Sequence, residues 1–159
     1  MSANTISEGE QKKIDKDDTK SFVFCIIHIN LEYPGVIFIK EKPPSINRRM
    51  KMFWKLPGGA IKKTDTSPEE AIKREINEEL GISHLPYEAK KINNFTKEGR
   101  IFHTFLLELI LPPKIMEGLN EVNETKIFSF TEFLEREDDI FSPHFYLVKN
   151  LAEQKIFIF

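Results

Sequence analysis

Three carboxylates stand close together in one stretch of the chain. Glu75, Glu78 and Glu79 follow directly on Arg74. On a helical wheel of about 100° per residue with Ile72 at zero, Ile76 falls at about 40° and Leu80 at about 80°, an apolar stripe. Glu79 falls at about −20°, Glu75 at about −60° and Glu78 at about −120°, so the acids share an arc of about 100° that abuts the stripe. Glu75 and Glu79 are like charges one turn apart, which costs a few tenths of a kcal/mol even in solvent. Partial burial raises that cost and pushes one carboxylate toward protonation. Arg74 can reach Glu78 at i,i+4, but one guanidinium does not neutralise three acids. Hard divalent cations favour such oxygen donors, and Mg²⁺ takes a few carboxylates together with substrate phosphates and water. The alternative reading of the cluster alone is a solvated, charged helix face. Leu56-Pro57-Gly58-Gly59 lies just upstream and shifts the balance, because two glycines let backbone approach a ligand or the helix closely.

The helix that carries the acids is well marked. Ser67 suits the N-cap, Pro68 the first helical position, and Glu70 closes a capping box, while Gly81 is a natural stop. The spacing therefore predicts a helix over Pro68–Leu80. Ser21–Ile29 and Val36–Lys40 are β-rich runs separated by a Pro-Gly turn. A basic loop follows around Pro43-Pro44, read as a solvated segment with phosphate contact as the alternative. Phe53 to Gly59 reads as a strand ending in a tight turn. Ala89–Phe95 and Arg100–Leu111 read as strands around the turn at residues 96–99, and Thr125–Phe130 as a further short strand. Thr131–Glu137 reads as a helical turn or two. Ser142-Pro143 opens a second helix through about Gln154, with Ser142 as its cap. The order is β-rich, helix, β-rich, helix, which suggests a mixed sheet sandwiched by helices.

The chain has 159 residues, enough for one domain. Residues 1–19 are polar and without period, and are expected to be a disordered tail ahead of a domain over 20–159. The acidic and basic totals of 25 and 23 nearly cancel, which argues against a dedicated nucleic-acid binder. The first twenty residues hold no apolar signal core, and no apolar run reaches the ~18 residues that a bilayer span needs. The expectation is a soluble, cytoplasmic protein with no membrane role, as monomer or homodimer. The lone Cys25 excludes a disulfide framework, and its apolar neighbours predict a buried, inert thiol. His103, on a strand, could face a cleft or the core. Phe102 and Phe105 read as core rather than as base-stacking platforms.

The segment Gly59–Ile82 resembles the box of the Nudix family, which runs Gly, five residues, Glu, seven residues, Arg-Glu-apolar-x-Glu-Glu-x-Gly-apolar. Arg74 to Ile82 matches it at every position, and five fixed residues would coincide at about 3 in 10⁷ sites by average usage. Trp54-x-Leu56-Pro57-Gly58-Gly59 is similar to the family's approach to the box. The first half departs from the pattern. The spacing from Gly59 to Arg74 is one residue longer, with Asp65 and Thr66 where a Glu is expected, so altered loop geometry is anticipated rather than a dead site.

The resemblance implies an α/β/α sandwich with a mixed sheet, and hydrolysis of a nucleoside diphosphate linked to another moiety with Mg²⁺ or Mn²⁺. It assigns Glu75, Glu78 and Glu79 to the metal, with Glu79 the most critical, and the carbonyl of Gly58 as an added ligand. Glu79, Glu78 and Arg74 become the catalytic group, with Arg74 orienting its neighbours. A ligand from outside the helix is expected at Glu124, with Glu121 and then Glu98 behind it. The downstream proline or tyrosine that marks some family subtypes is absent near Glu98 and Arg100, so the implied partner is a nucleotide-type small molecule of unspecified kind. The rival reading is a non-catalytic, nucleotide- or partner-binding module of the same fold.

Overall fold

The computed structural model describes residues 20–30, 32, 34–82, 89–109 and 122–159. Its strands are β1 (Ser21–Ile29), β2 (Gly35–Glu41), β3 (Gly58–Ala60), β4 (Lys90–Lys97), β5 (Arg100–Leu109) and β6 (Val122–Phe128). Its helices are α1 (Pro68–Leu80), α2 (Phe130–Glu135) and α3 (Ser142–Glu153). The strands form one sheet in the order β4-β5-β1-β2-β6, with β3 also paired to β1. β1 and β5 are parallel and the other pairings antiparallel, so the sheet is mixed. Glu98 and Gly99 both take positive φ at the β4–β5 turn, as a two-residue hairpin with that hand requires.

Alternation along β1 feeds two cores. Val23, Cys25, Ile27 and Ile29 join Ile37, Ile39, Phe105 and Leu107 beneath Ile72, Ile76 and Leu80 of α1. Ile26 joins Val36, Phe38, Trp54, Leu56 and Phe128 beneath Phe133 of α2 and Phe145, Val148 and Leu151 of α3. The result is the expected α/β/α layering. Cys25 is buried and burial pushes its thiol far up, as an inert thiol should be. Among the described residues no helix is long and apolar enough to cross a membrane.

Helix α1 begins and ends where its sequence says. The Ser67 hydroxyl accepts the Glu70 N–H at 3.1 Å, and Gly81 closes the helix in the left-handed region at φ 68°. Three local expectations need correction. Gly58-Gly59 is not a turn but part of β3, and Gly58 sits opposite Phe24 and Gly59 opposite Val23. Ser142 lies inside α3, whose N-cap is Phe141, without a side-chain cap bond. Of the capping box expected at Ser67 and Glu70 only the Ser67 half is present, whereas Ser129 and Glu132 form a full box, so α2 starts at Phe130. The expected strand end at residues 110 and 111, and the tail over residues 1–19, lie outside the described residues.

Candidate active site

The acid arc of α1 packs against β3. Glu79, next to the helix end, is 7% exposed, and its Oε1 accepts the Gly58 N–H at 2.7 Å. Gly58 adopts φ 148°, and a Cβ there would fall on the Val23 carbonyl oxygen, so only glycine brings this N–H to the carboxylate. Gly59 performs the matching service for Glu75, because a Cβ would lie 2.7 Å from its Oε1. Burial pushes the Glu79 carboxyl from 4.5 up to about 8, helped by the charges of Glu75 and Glu41 and opposed by the Gly58 N–H and Lys55. Glu75 is also raised, chiefly by burial.

Arg74 ties the arc to the preceding loop. Its Nε and Nη2 donate to Asp65 Oδ1 and Oδ2 at 2.9 and 2.8 Å, a two-bond fork. Its Nη1 donates to Glu75 at 3.1 Å and Glu78 at 3.2 Å, and Nη2 also reaches the Ala60 carbonyl at 3.2 Å. The hydrogen bonds from Arg74 hold the Asp65 carboxyl down at about 2. Asp65 also accepts the Lys62 N–H at 2.8 Å, closing the loop on itself. The extra residue is therefore absorbed before α1. A shorter side chain on a longer loop still reaches Arg74.

The acid on β2 completes the surroundings. Ile39 and Lys55 exchange backbone hydrogen bonds, and Lys55 forms an ion pair with Glu41. Both charges act on Glu79. Glu124 lies elsewhere. It sits in register with Lys40, whose ammonium is 4.5 Å from the centre of the Trp54 ring. Directly opposed residues share a face, and this is the α3 face, so the structure does not bring Glu124 to the arc. Glu98 is at the β4–β5 hairpin tip and Glu121 is outside the described residues. Gly58 meets the arc through its N–H.

No local pattern in the sequence marks His144. Its Nδ1 accepts the Leu56 N–H at 3.0 Å, and burial, with Lys55 adding to it, pushes the ring down to about 3. The neutral ring thus fixes the strand two residues before Gly58. Phe105 is core, as expected, but Phe102 is half-buried. Phe102 stacks on Phe95 at 4.9 Å and on Phe22 at 5.3 Å, and Phe24 continues the row to His144. Lys20 and Arg100 lie over the Phe22 ring. His103 is buried among the core strands with its Nδ1 unbonded among the described residues.

Among the described residues no three acid, histidine or cysteine side chains already surround one ion-sized point. Arg74 holds Glu75 and Glu78, and Gly58 holds Glu79. The donors are nonetheless all oxygen, and a buried carboxyl raised to about 8 is a group that a cation would ionise. The donor set fits a hard divalent cation.

This sheet, helix and acid arc define a family. Residues 21–150 match the model of the NUDIX domain, and the chain belongs to the Nudix hydrolase family. It is 38% identical over 60 residues to an 8-oxo-dGTP diphosphatase of Proteus vulgaris, a match covering 38% of this chain and 46% of that protein. The chain thus spans about half the length of that relative. Among solved structures it resembles the NUDIX domain of Shewanella oneidensis NrtR complexed with ADP ribose. That likeness has a TM-score of 0.63 at 15% identity, over 84% of this chain and 86% of that one. It also resembles a Francisella tularensis bifunctional NMN adenylyltransferase/ADP ribose pyrophosphatase complexed with AMP and a Mn ion. Here the TM-score is 0.62 at 19% identity, over 86% of this chain and 42% of that one. These likenesses bear on the fold.

Proposed function

We propose that the chain is a divalent-metal-dependent pyrophosphohydrolase acting on a nucleoside diphosphate linked to another moiety. The observation that carries this is the packing of Glu75 and Glu79 against Gly59 and Gly58, with Glu79 buried and short of positive charge. Glu75, Glu78 and Glu79 would hold Mg²⁺ or Mn²⁺, with the Gly58 carbonyl as a further donor. The bound ion would neutralise the pyrophosphate and acidify a water. Glu79 and Glu78 would then hold or accept the proton of that water, and Arg74 keeps the carboxylates in place through its fork to Asp65. The nucleotides named with the related proteins favour the same class of substrate.

The test is a panel of nucleoside diphosphate derivatives and nucleoside triphosphates with Mg²⁺ or Mn²⁺, repeated with Glu79→Gln. The variant should lose at least ~10²-fold in turnover on the best substrate. Binding of nucleotide without any turnover in the wild type would favour a binding module instead. Turnover that survives the substitution nearly intact would refute the assignment of Glu79.

A further inference from the structure

We infer that Lys55, aimed by Glu41, is a phosphate-positioning residue of this site; the inference rests on the function proposed above. Trp54 and Leu56 both belong to the core beneath α3. Lys55, between them, must face the opposite side of the strand. Its partner Ile39 lies in the core beneath α1, and Glu41 follows two residues later on the same face. The ammonium and the Glu41 carboxylate meet at 2.5 Å, with side chains 25% and 30% exposed. Lys55 and Glu41 therefore lie on the side of the sheet that α1 covers, and Lys55 stands three residues before Gly58, whose N–H meets Glu79.

Charge accounting gives this pair its role. Glu75, Glu78, Glu79, Asp65 and Glu41 face Arg74, Lys62 and Lys55, five acids against three bases. The Arg74 guanidinium already serves Asp65, Glu75, Glu78 and Ala60. The Lys62 ammonium is on the rim, 59% exposed and 3.8 Å from Glu78. Lys55 is the half-buried cation with a single acidic partner among the described residues. Divalent ions on the arc would cancel the surplus acid, and a pyrophosphate would then bring new negative charge. Lysine is a compact charge on a flexible four-carbon stem, so its ammonium can swing from Glu41 to a phosphate oxygen. At rest Glu41 holds the ammonium, so that it does not take the place of the metal on the arc.

The experiment measures binding of methylenediphosphonate, a pyrophosphate analogue that is not hydrolysed, to the full chain loaded with Mn²⁺. Mn²⁺ binding alone is titrated in parallel by electron paramagnetic resonance. Lys55→Met should weaken the diphosphonate at least tenfold while leaving Mn²⁺ binding equal or tighter, and Lys55→Arg should recover most of the loss. Glu41→Gln should weaken Mn²⁺ no more than about threefold, on the scale of losing a guiding charge rather than a ligand. Diphosphonate binding by Lys55→Met within threefold of wild type would overturn the inference. So would a Glu41→Gln loss of Mn²⁺ binding above tenfold, which would make Glu41 a ligand and Lys55 its counter-ion. A wild type that binds the diphosphonate through Lys55 yet hydrolyses nothing on the panel would sink the proposed function and leave this inference standing.

Discussion

Glu79→Gln should make the metal-free protein more stable, by an amount that grows with pH. In the folded chain burial lifts the Glu79 carboxyl from 4.5 to about 8. In the unfolded chain it titrates near its ordinary value. Between those two pH values the folded state keeps a proton that the unfolded state has released, so the folded chain is the better proton binder. Stability is full below the lower value and falls as pH rises through the window, at up to about 1.4 kcal/mol per pH unit. Across the window that is up to about 5 kcal/mol, part of which relaxation and water entry will absorb, leaving about 2–3 kcal/mol. Glutamine carries no such proton, and its side-chain oxygen can still accept the Gly58 N–H. The gap between variant and wild type should therefore open from near its pH 5 value to about 5–10 °C in Tm at pH 8, for a chain of this size. The assay is thermal melting in EDTA at pH 5, 6.5 and 8, repeated with Mg²⁺. Added Mg²⁺ should raise the wild-type Tm at pH 8 and leave the variant nearly unmoved. A gap that stays flat or narrows with pH would show that Glu79 is ionised in the folded, metal-free protein, and the desolvation argument would fail.

Asp65→Ala should cost about 1–3 kcal/mol in urea unfolding at pH 7, because it leaves the Arg74 fork unpaired. The deficit should shrink below pH 4, since Arg74 holds the Asp65 carboxyl near 2 and the wild type loses that contribution as pH falls toward it. Gly59→Ala should keep the fold within a few degrees of Tm but weaken Mn²⁺ binding about tenfold, because the new methyl displaces the Glu75 carboxylate rather than backbone. His144→Ala should cost about 2–4 kcal/mol at pH 7.5, from a cavity and an unpaired Leu56 N–H. That cost should be smaller at pH 5. The folded ring is held neutral near 3, so the wild type's benefit is full above pH 6.5 and declines on acidification.

The parts of the site that the sequence discloses are the parts that a single helix encodes. Ser67, Pro68 and Gly81 bound α1, and its 3.6-residue period alone puts Glu79 against the apolar stripe and Arg74 over Glu78. Spacing predicts a changed loop without saying how it closes. The extra residue before α1 and the shorter Asp65 signal altered geometry when positions are counted, because counting assumes that each position has one reach. Asp65 and Arg74 meet across a loop that bends back on the Lys62 N–H, so chain path made up for side-chain length. Of the two readings of Gly58-Gly59, the turn fails and the close approach holds, with β1 on one side and two glutamates on the other.

What remained hidden depends on which layer each strand faces. Alternation along β6 puts Glu124 on the same side as Phe128, and that much is a matter of parity. Parity does not say which helix covers that side. Phe128 packs edge-on against Phe38 at 5.3 Å and against Trp54 at 5.4 Å, in the core of α2 and α3, and Glu124 follows it away from the acid arc. The same logic hid Glu41 and Lys55. Each is a charged residue beside an apolar run, and nothing local joins them. They meet because the segment before β3 returns to pair Lys55 with Ile39, after a loop whose length no pattern fixes. Sheet register puts Glu41 on the inner strand β2, on the α1 side with Lys55, and Glu124 on the edge strand β6, on the α3 side.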